Sequence, residues 1–230
     1  MSSIQLVVFD MAGTTVRDTG NVAKAFIAAF REYNKEVSGE KVHHVMGFRK
    51  KDAIRLLLPG EHDEALIEQI HDAFTRNILA LYENDPALAP LPQVEETFLL
   101  LKQWGIKIAL NTGFTRPVTN AILQRLQWDT PATIDMVLCS DEVPAGRPQP
   151  DMIKTIMQQM DVIDSKAVVK VGDTMVDVEE GRNAGCGLVV SVTTGAYTRR
   201  ELELYKPDHI IDSIAELPAL FPVQYSAFNI

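Results

Sequence analysis

The chain has 230 residues, 46% hydrophobic and 23% charged, which suits one large globular domain or a core with a modest insert. A formal charge of −9 and a pI near 5.0 deny it the basic footprint that nucleic acid or an anionic membrane requires. An anionic ligand must therefore be held by local cations, a metal or backbone amides. Cys139 and Cys186 are the only cysteines; they lie in apolar runs without CxxC spacing and read as buried free thiols of a reducing compartment. The N-terminal Met1-Ser2-Ser3-Ile4 has no basic n-region, and no apolar run approaches the ~20 residues that span a bilayer, so a cytoplasmic protein is expected.

Residues 4–9 form a continuous apolar run, the pattern of a strand buried on both faces of a parallel sheet. The run delivers Asp10 onto the small-residue loop Met11-Ala12-Gly13-Thr14-Thr15. The period then changes: Val22, Phe26, Ala29, Phe30 and Tyr33 recur at helical spacing. Residues 51–58 make a second helical run, stopped by Pro59-Gly60. Ala65, Leu66, Ile70, Phe74, Ile78, Leu81 and Tyr82 form a longer amphipathic stripe closed by Pro86. Residues 18–88 thus read as a helical block without a strand.

Strands and helices alternate from there on. The pattern predicts helix 94–104 with Gly105 as its C-cap, strand 106–110, helix 117–126, strand 136–138 and helix 151–160. Strand 167–171, helix 176–184, strand Leu188–Val192 and a short edge strand His209–Ile211 complete it. Such alternation implies βαβ crossovers and an α/β fold whose parallel sheet is covered on both sides. Ligands of these sheets sit outside the carboxyl ends of the strands, where Asp10, Thr112 and Asp173 all fall. The expected division is a core of residues 1–17 and 89–230 and a helical cap of residues 18–88.

Asp10 and Asp173, with Asp177 four residues on, can hold a hard divalent cation such as Mg²⁺, which takes oxygen ligands and keeps waters or phosphate oxygens in its shell. With its repulsion neutralised, Asp10 can attack phosphorus as a carboxylate nucleophile. Gly13, Thr14 and Thr15 can offer backbone amides to a phosphoryl group, and Thr112-Gly113 a hydroxyl and an amide. Arg147, framed by Pro144-Ala145-Gly146 and Pro148, can bind a phosphoryl oxygen and the nucleophile at once through its fork of donors. Lys50 lies in Met46-Gly47-Phe48-Arg49-Lys50-Lys51, where a desolvated lysine could form a Schiff base with a carbonyl; the residues alone do not choose between Lys50 and Lys51. His43 and His44 could line the site entrance, whereas His62-Asp63 and His71-Asp72 read as polar helix surface.

These motifs resemble the phosphonoacetaldehyde hydrolase (phosphonatase) branch of the haloacid dehalogenase superfamily, over nearly the whole chain. The likeness rests on Asp10-Met11-Ala12-Gly13-Thr14-Thr15, Met46-Gly47…Lys50, Thr112-Gly113-Phe114-Thr115-Arg116, Pro144-Ala145-Gly146-Arg147-Pro148, and Gly172-Asp173-Thr174…Glu180-Gly181-Arg182-Asn183-Ala184-Gly185. The superfamily usually reads Asp-x-Asp at the first motif, the second Asp being the general acid; Ala12 stands there instead. The resemblance implies a Rossmann-like core with an inserted helical cap, Lys50 as the Schiff-base lysine, and Met46, Gly47, Gly113 and Phe114 around the substrate. It also implies Mg²⁺ on Asp10, Asp173, Asp177 and the Ala12 carbonyl. The expected reaction is hydrolysis of the C–P bond of phosphonoacetaldehyde or a related 2-oxoalkylphosphonate through an aspartyl-phosphate. The expected partner is that small substrate, with no nucleic acid or membrane and with a homodimer left open. Two departures stand out: the branch carries a histidine where this chain has Ala53, and a tyrosine where it has Phe114. A phosphate-monoester phosphatase and a non-catalytic phospho-ligand binder are the alternatives.

Overall fold

The computed structural model describes residues 3–58, 60, 63–128 and 132–221; Met1, Pro59 and His62 lie outside them. Six strands form one parallel sheet: β1 (Leu6–Phe9), β2 (Lys107–Thr112), β3 (Met136–Cys139), β4 (Val168–Gly172), β5 (Leu188–Val192) and β6 (His209–Ile211). Their order is β3-β2-β1-β4-β5-β6, so the winding direction reverses between β1 and β4, where sheets of this kind open a crevice for ligands. Phe9 of β1 pairs in register with Leu110 and Val171, which brings Asp10, Asn111-Thr112 and Gly172-Asp173 out at one edge.

Successive β1 residues face opposite layers, as strand pleating requires. Val7 and Phe9 join a core in which Phe9 meets Phe98 at 5.1 Å between ring centroids and Phe98 meets Trp128 at 5.6 Å. Leu6 and Val8 join the opposite layer with Ile153, Ile156 and Val178. Helices α5 (Val94–Gln103), α6 (Arg116–Leu126), α7 (Asp151–Gln159), α8 (Met175–Asn183) and α9 (Arg199–Tyr205) belong to this half, numbered after the four that precede them in the chain. Gly105 follows α5 at φ 74°, the left-handed turn expected of a C-cap glycine.

Those four, α1 (Asn21–Glu32), α2 (Gly39–His43), α3 (Lys50–Leu57) and α4 (Glu64–Asn84), form the helical cap inserted between β1 and α5. Of the long stripe read from the sequence, Ile70, Phe74, Ile78 and Tyr82 are buried, with Phe74 4.5 Å from Phe26 of α1, whereas Ala65 is exposed and Leu66 and Leu81 are half-buried. Asp63 caps α4 by accepting from the Ala65 and Leu66 amides. The two connections run side by side, with Arg17 N donating to Ala89 O at 3.0 Å and Leu91 N to Thr15 O at 2.9 Å. Among the described residues no helix is long and apolar enough to cross a membrane.

Candidate active site

Asp10 leaves β1 into a tight loop in which the amides of Thr14, Thr15 and Val16 all donate to Met11 O. Gly13, at φ 90°, donates its amide to Val16 O. The amides of Gly13, Thr14 and Thr15 are therefore used within the loop, which corrects the expectation that they face a phosphoryl group. Gly13 has a different role. A Cβ there would sit 2.7 Å from Asp173 Oδ2 and 2.8 Å from Gly195 Cα, so only glycine lets this loop close on the carboxylate.

Arg147 is buried, and its Nη1 donates to Asp10 Oδ1 at 2.5 Å and to Asp177 Oδ1 at 2.6 Å. Its Nε has no protein partner although it is buried, a donor left over for a ligand. Asp173 accepts from Thr14 Oγ1 at 2.9 Å and from the Ala196 amide at 2.7 Å. Asp177 is more heavily engaged. Beyond Arg147, its Oδ1 lies 3.1 Å from Lys170 Nζ, and its Oδ2 accepts from Thr174 Oγ1 at 2.6 Å.

Lys170 was not singled out in the sequence, yet it is wholly buried in β4 and organises this side of the site. Its Nζ donates to Asn111 Oδ1 at 2.6 Å and stands 3.2 Å from Glu180, which in turn accepts from Asn111 Nδ2 at 2.7 Å. The signal was available: a lysine inside Val168-Val169-Lys170-Val171 is a charge in a strand buried on both faces, and such charges are paired. Thr112 ends β2 in the same cavity as Asp10, its Oγ1 accepting from the Phe114 amide at 3.2 Å.

Lys50 comes to this site from the first position of α3. It is 5% exposed and shares the cavity with Asp10, Ala12, Met46, Gly47, Thr112 and Arg147. Its Nζ lies 4.8 Å from the Phe114 ring centroid, 5.7 Å from Phe26 and 5.9 Å from Phe74, with the Phe48 carbonyl accepting weakly at 3.4 Å. Lys51 turns away to Glu68 at 2.5 Å. The structure thus puts Lys50, and not Lys51, into the cavity. Ala53 is buried one turn along α3, and no histidine lines this cavity.

The cap meets the core closely here. A Cβ on Gly47, at φ 87°, would fall 2.5 Å from Thr174 Oγ1. Arg49 Nη1 donates to Pro144 O at 3.0 Å, and His43 Nε2 shares a hydrogen bond of 2.9 Å with Glu201 while stacking on Tyr197 at 4.8 Å. The enclosed cavity is only about 20 Å³, room for about one water. His44 stands apart from it, beside Phe48 and Leu56.

Burial lowers the Lys50 ammonium to about 8, and the Arg147 charge adds to the effect. Burial raises the Asp10 carboxyl, against the opposing pull of Arg147. Burial and the neighbouring Asp10 raise Asp173 well above the usual carboxylate range. Asp177 is also desolvated, but Lys170 and Arg147 outweigh that and hold it low. Oxygens of Asp10, Asp173 and Asp177 lie within 4.8 Å of one another. Two buried carboxylates that resist ionising together suit a hard divalent cation, and Asp10 and Asp173 fit one. A second group, Glu68, His71 and Asp72 on α4, already has the Lys51 ammonium on Glu68.

A strand-end carboxylate, a buried arginine and a second acidic pair stand at the switch point of a Rossmann-like sheet, the arrangement of a hydrolase core. The haloacid dehalogenase-like hydrolase family matches residues 7–191, and the chain belongs to that family. Among its relatives, the phosphonoacetaldehyde hydrolase of Bordetella pertussis is 31% identical, covering 94% of this chain and 90% of its own. Of solved structures, a phosphonoacetaldehyde hydrolase-like protein from Oleispira antarctica superposes with a TM-score of 0.83 at 23% identity, covering 95% of this chain and 91% of its own. A hydrolase from Pseudomonas syringae gives 0.85 at 17% identity, covering 95% and 100%.

Proposed function

We propose that the chain hydrolyses the C–P bond of a carbonyl phosphonate, with Lys50 as Schiff-base residue and Asp10 as nucleophile. The observation that carries this reading is Lys50 itself: a lysine buried in an aromatic box, in one cavity with Asp10, where Ala12 replaces a carboxylic acid. A phosphate ester leaves as an alkoxide and needs an acid, typically worth 10²–10⁴-fold. A C–P bond needs an electron sink instead.

Lys50, as the free amine, adds to the substrate carbonyl and, with one proton taken up from solvent, expels its oxygen as water, leaving an iminium. The rings of Phe26, Phe74 and Phe114 turn their negative faces to that cation without anchoring it as a carboxylate would. An Asp10 oxygen attacks phosphorus as the C–P bond breaks. The C–P bonding pair becomes a C=C bond as the iminium π pair moves onto nitrogen, giving a neutral enamine and an aspartyl-phosphate. Arg147 holds Asp10 and offers Nε to a phosphoryl oxygen, and Thr112 offers its hydroxyl. Water hydrolyses the acyl phosphate; the enamine takes a proton on carbon and is hydrolysed to the carbonyl product and free Lys50. Mg²⁺ on Asp10, Asp173 and the Ala12 carbonyl would supply charge neutralisation. Both Asp177 oxygens are engaged by protein donors, which suits it to fixing Arg147 and Lys170.

Residues 18–88 would act as the cap domain over a core of 1–17 and 89–230, turning about the paired connections. Movement of the cap would widen the space around Lys50, about 20 Å³ as it stands, for the substrate. The test is phosphate release from phosphonoacetaldehyde and from a panel of phosphate monoesters. Lys50→Arg should abolish the first activity, since arginine keeps the charge but forms no imine. Brisk ester hydrolysis unaffected by Lys50→Arg would instead establish a phosphatase. Binding without turnover of any carbonyl phosphonate would indicate a non-catalytic binder.

A further inference from the structure

The cavity around Lys50 opens onto a second one, with which it shares Ala12, Met46 and Asp173. This neighbour holds about 230 Å³ against about 20 Å³. It lies between cap and core, walled by Asp18, Gly20, Ala23, Gly39 and His43 from the cap side and by Gly13 of the Asp10 loop. Phosphonoacetaldehyde has only hydrogen on the far side of its carbonyl and would leave this space empty.

The walls also carry a charge preference. Among the described residues no lysine or arginine lines the cavity, whereas Asp18 and Asp173 do. Asp173 faces the metal position, but Asp18 is fixed elsewhere, its Oδ1 accepting from the Asn21 amide at 2.8 Å at the start of α1. His43 is held as a wall by its bond to Glu201 and its stack on Tyr197.

We propose that this cleft is a subsite for the group on the far side of the substrate carbonyl, so that the preferred substrate is a ketone phosphonate with a short uncharged or cationic tail. An anionic tail is rejected by Asp18. The inference rests on the Lys50 reading above and names the substrate class of that site.

The experiment compares kcat/KM for phosphonoacetaldehyde, 2-oxobutylphosphonate, 4-amino-2-oxobutylphosphonate and 4-carboxy-2-oxobutylphosphonate, each also trapped with borohydride. The neutral and amino ketones should match or exceed the aldehyde, and the carboxylate should fall roughly tenfold or more below them. Gly39→Leu and Ala23→Leu each fill the cleft from a different helix, and a Cβ at Gly39 meets no atom within 4 Å. In each, the ratio of ketone to aldehyde kcat/KM should drop by roughly tenfold or more, the scale on which pocket volume discriminates. Trapping at Lys50 by every compound, with no preference among them and unchanged ratios in both variants, overturns the subsite and leaves the Schiff base standing. Trapping at Lys50 by none overturns both.

Discussion

A lysine enclosed by three phenyl rings weakens the fold whenever it carries its charge. Lys50 titrates near 8 in the folded chain against 10.5 in an unfolded one. Between those pH values the unfolded state binds more protons, so this residue makes stability rise with pH across that window; below about 8 the full penalty is present. The shift corresponds to something on the order of 3 kcal/mol. Lys50→Met, similar in length and uncharged, should therefore raise stability at pH 7 by about 1–3 kcal/mol, with the gain fading as pH approaches 10.5. Thermal melts of both proteins across pH 6–10.5 measure it, and an equal or lower melting temperature at neutral pH would contradict the burial argument. Asp10 and Asp173 were legible because each follows an apolar run at a strand end, and Arg147 because Gly and Pro frame it in the loop ahead of α7. Lys170 interrupts such a run too, but inside the strand and not at its end, so a search of strand ends passes over it. The amides of Gly13 and Thr14 were misread because a loop's internal hydrogen bonds leave no trace in residue type.

Among elements, the contact of the α2–α3 loop with the start of α8 decides whether the site can close. Gly47 sits there in the left-handed region with no room for a methyl group. Gly47→Ala should hold the cap off Thr174 and lower kcat by about 10²-fold, the usual consequence of misplacing a reacting group by ~1 Å. Borohydride trapping of the variant should fall in parallel while its melting temperature changes little. Full activity in Gly47→Ala would show that closure at this point is unnecessary. All six strands and the longer helices were readable from apolar period, whereas α2 and α9 were not. Gly39–His43 buries one apolar residue, Val42, and Arg199–Tyr205 one, Leu202, so neither has a period to detect. Their caps were the available signal: Ser38 accepts from the Lys41 amide, and Thr198 with Glu201 forms a capping box. Strand β2 runs on to Thr112 because Asn111 and Thr112 pair with Leu138 and Cys139 of β3.

For the molecule as a whole, Asp10 and Asp173 are two buried carboxylates at the meeting of cap and core, and a divalent cation held by them should stabilise the fold. Mg²⁺ binding only the folded chain at about a hundred times its dissociation constant should add about 2.7 kcal/mol, seen as a rise in melting temperature. Asp173→Asn should remove that rise and, by deleting one of two repelling carboxylates, melt higher than the metal-free parent. A metal-dependent rise retained in Asp173→Asn would move the site elsewhere. The insertion of a helical block into an α/β chain was plain from the absence of any strand between 18 and 88. The closeness of the closed cap was not, since the Gly47–Thr174 and His43–Glu201 contacts join residues more than a hundred positions apart.

The central claim, covalent catalysis by Lys50, is tested most directly by borohydride reduction of the protein incubated with Mg²⁺ and phosphonoacetaldehyde, followed by peptide mass mapping. A single reduced adduct on Lys50 is expected, lost in Lys50→Arg together with phosphate release. An adduct on Lys51, or phosphate release from phosphonoacetaldehyde that survives in Lys50→Arg, would contradict it.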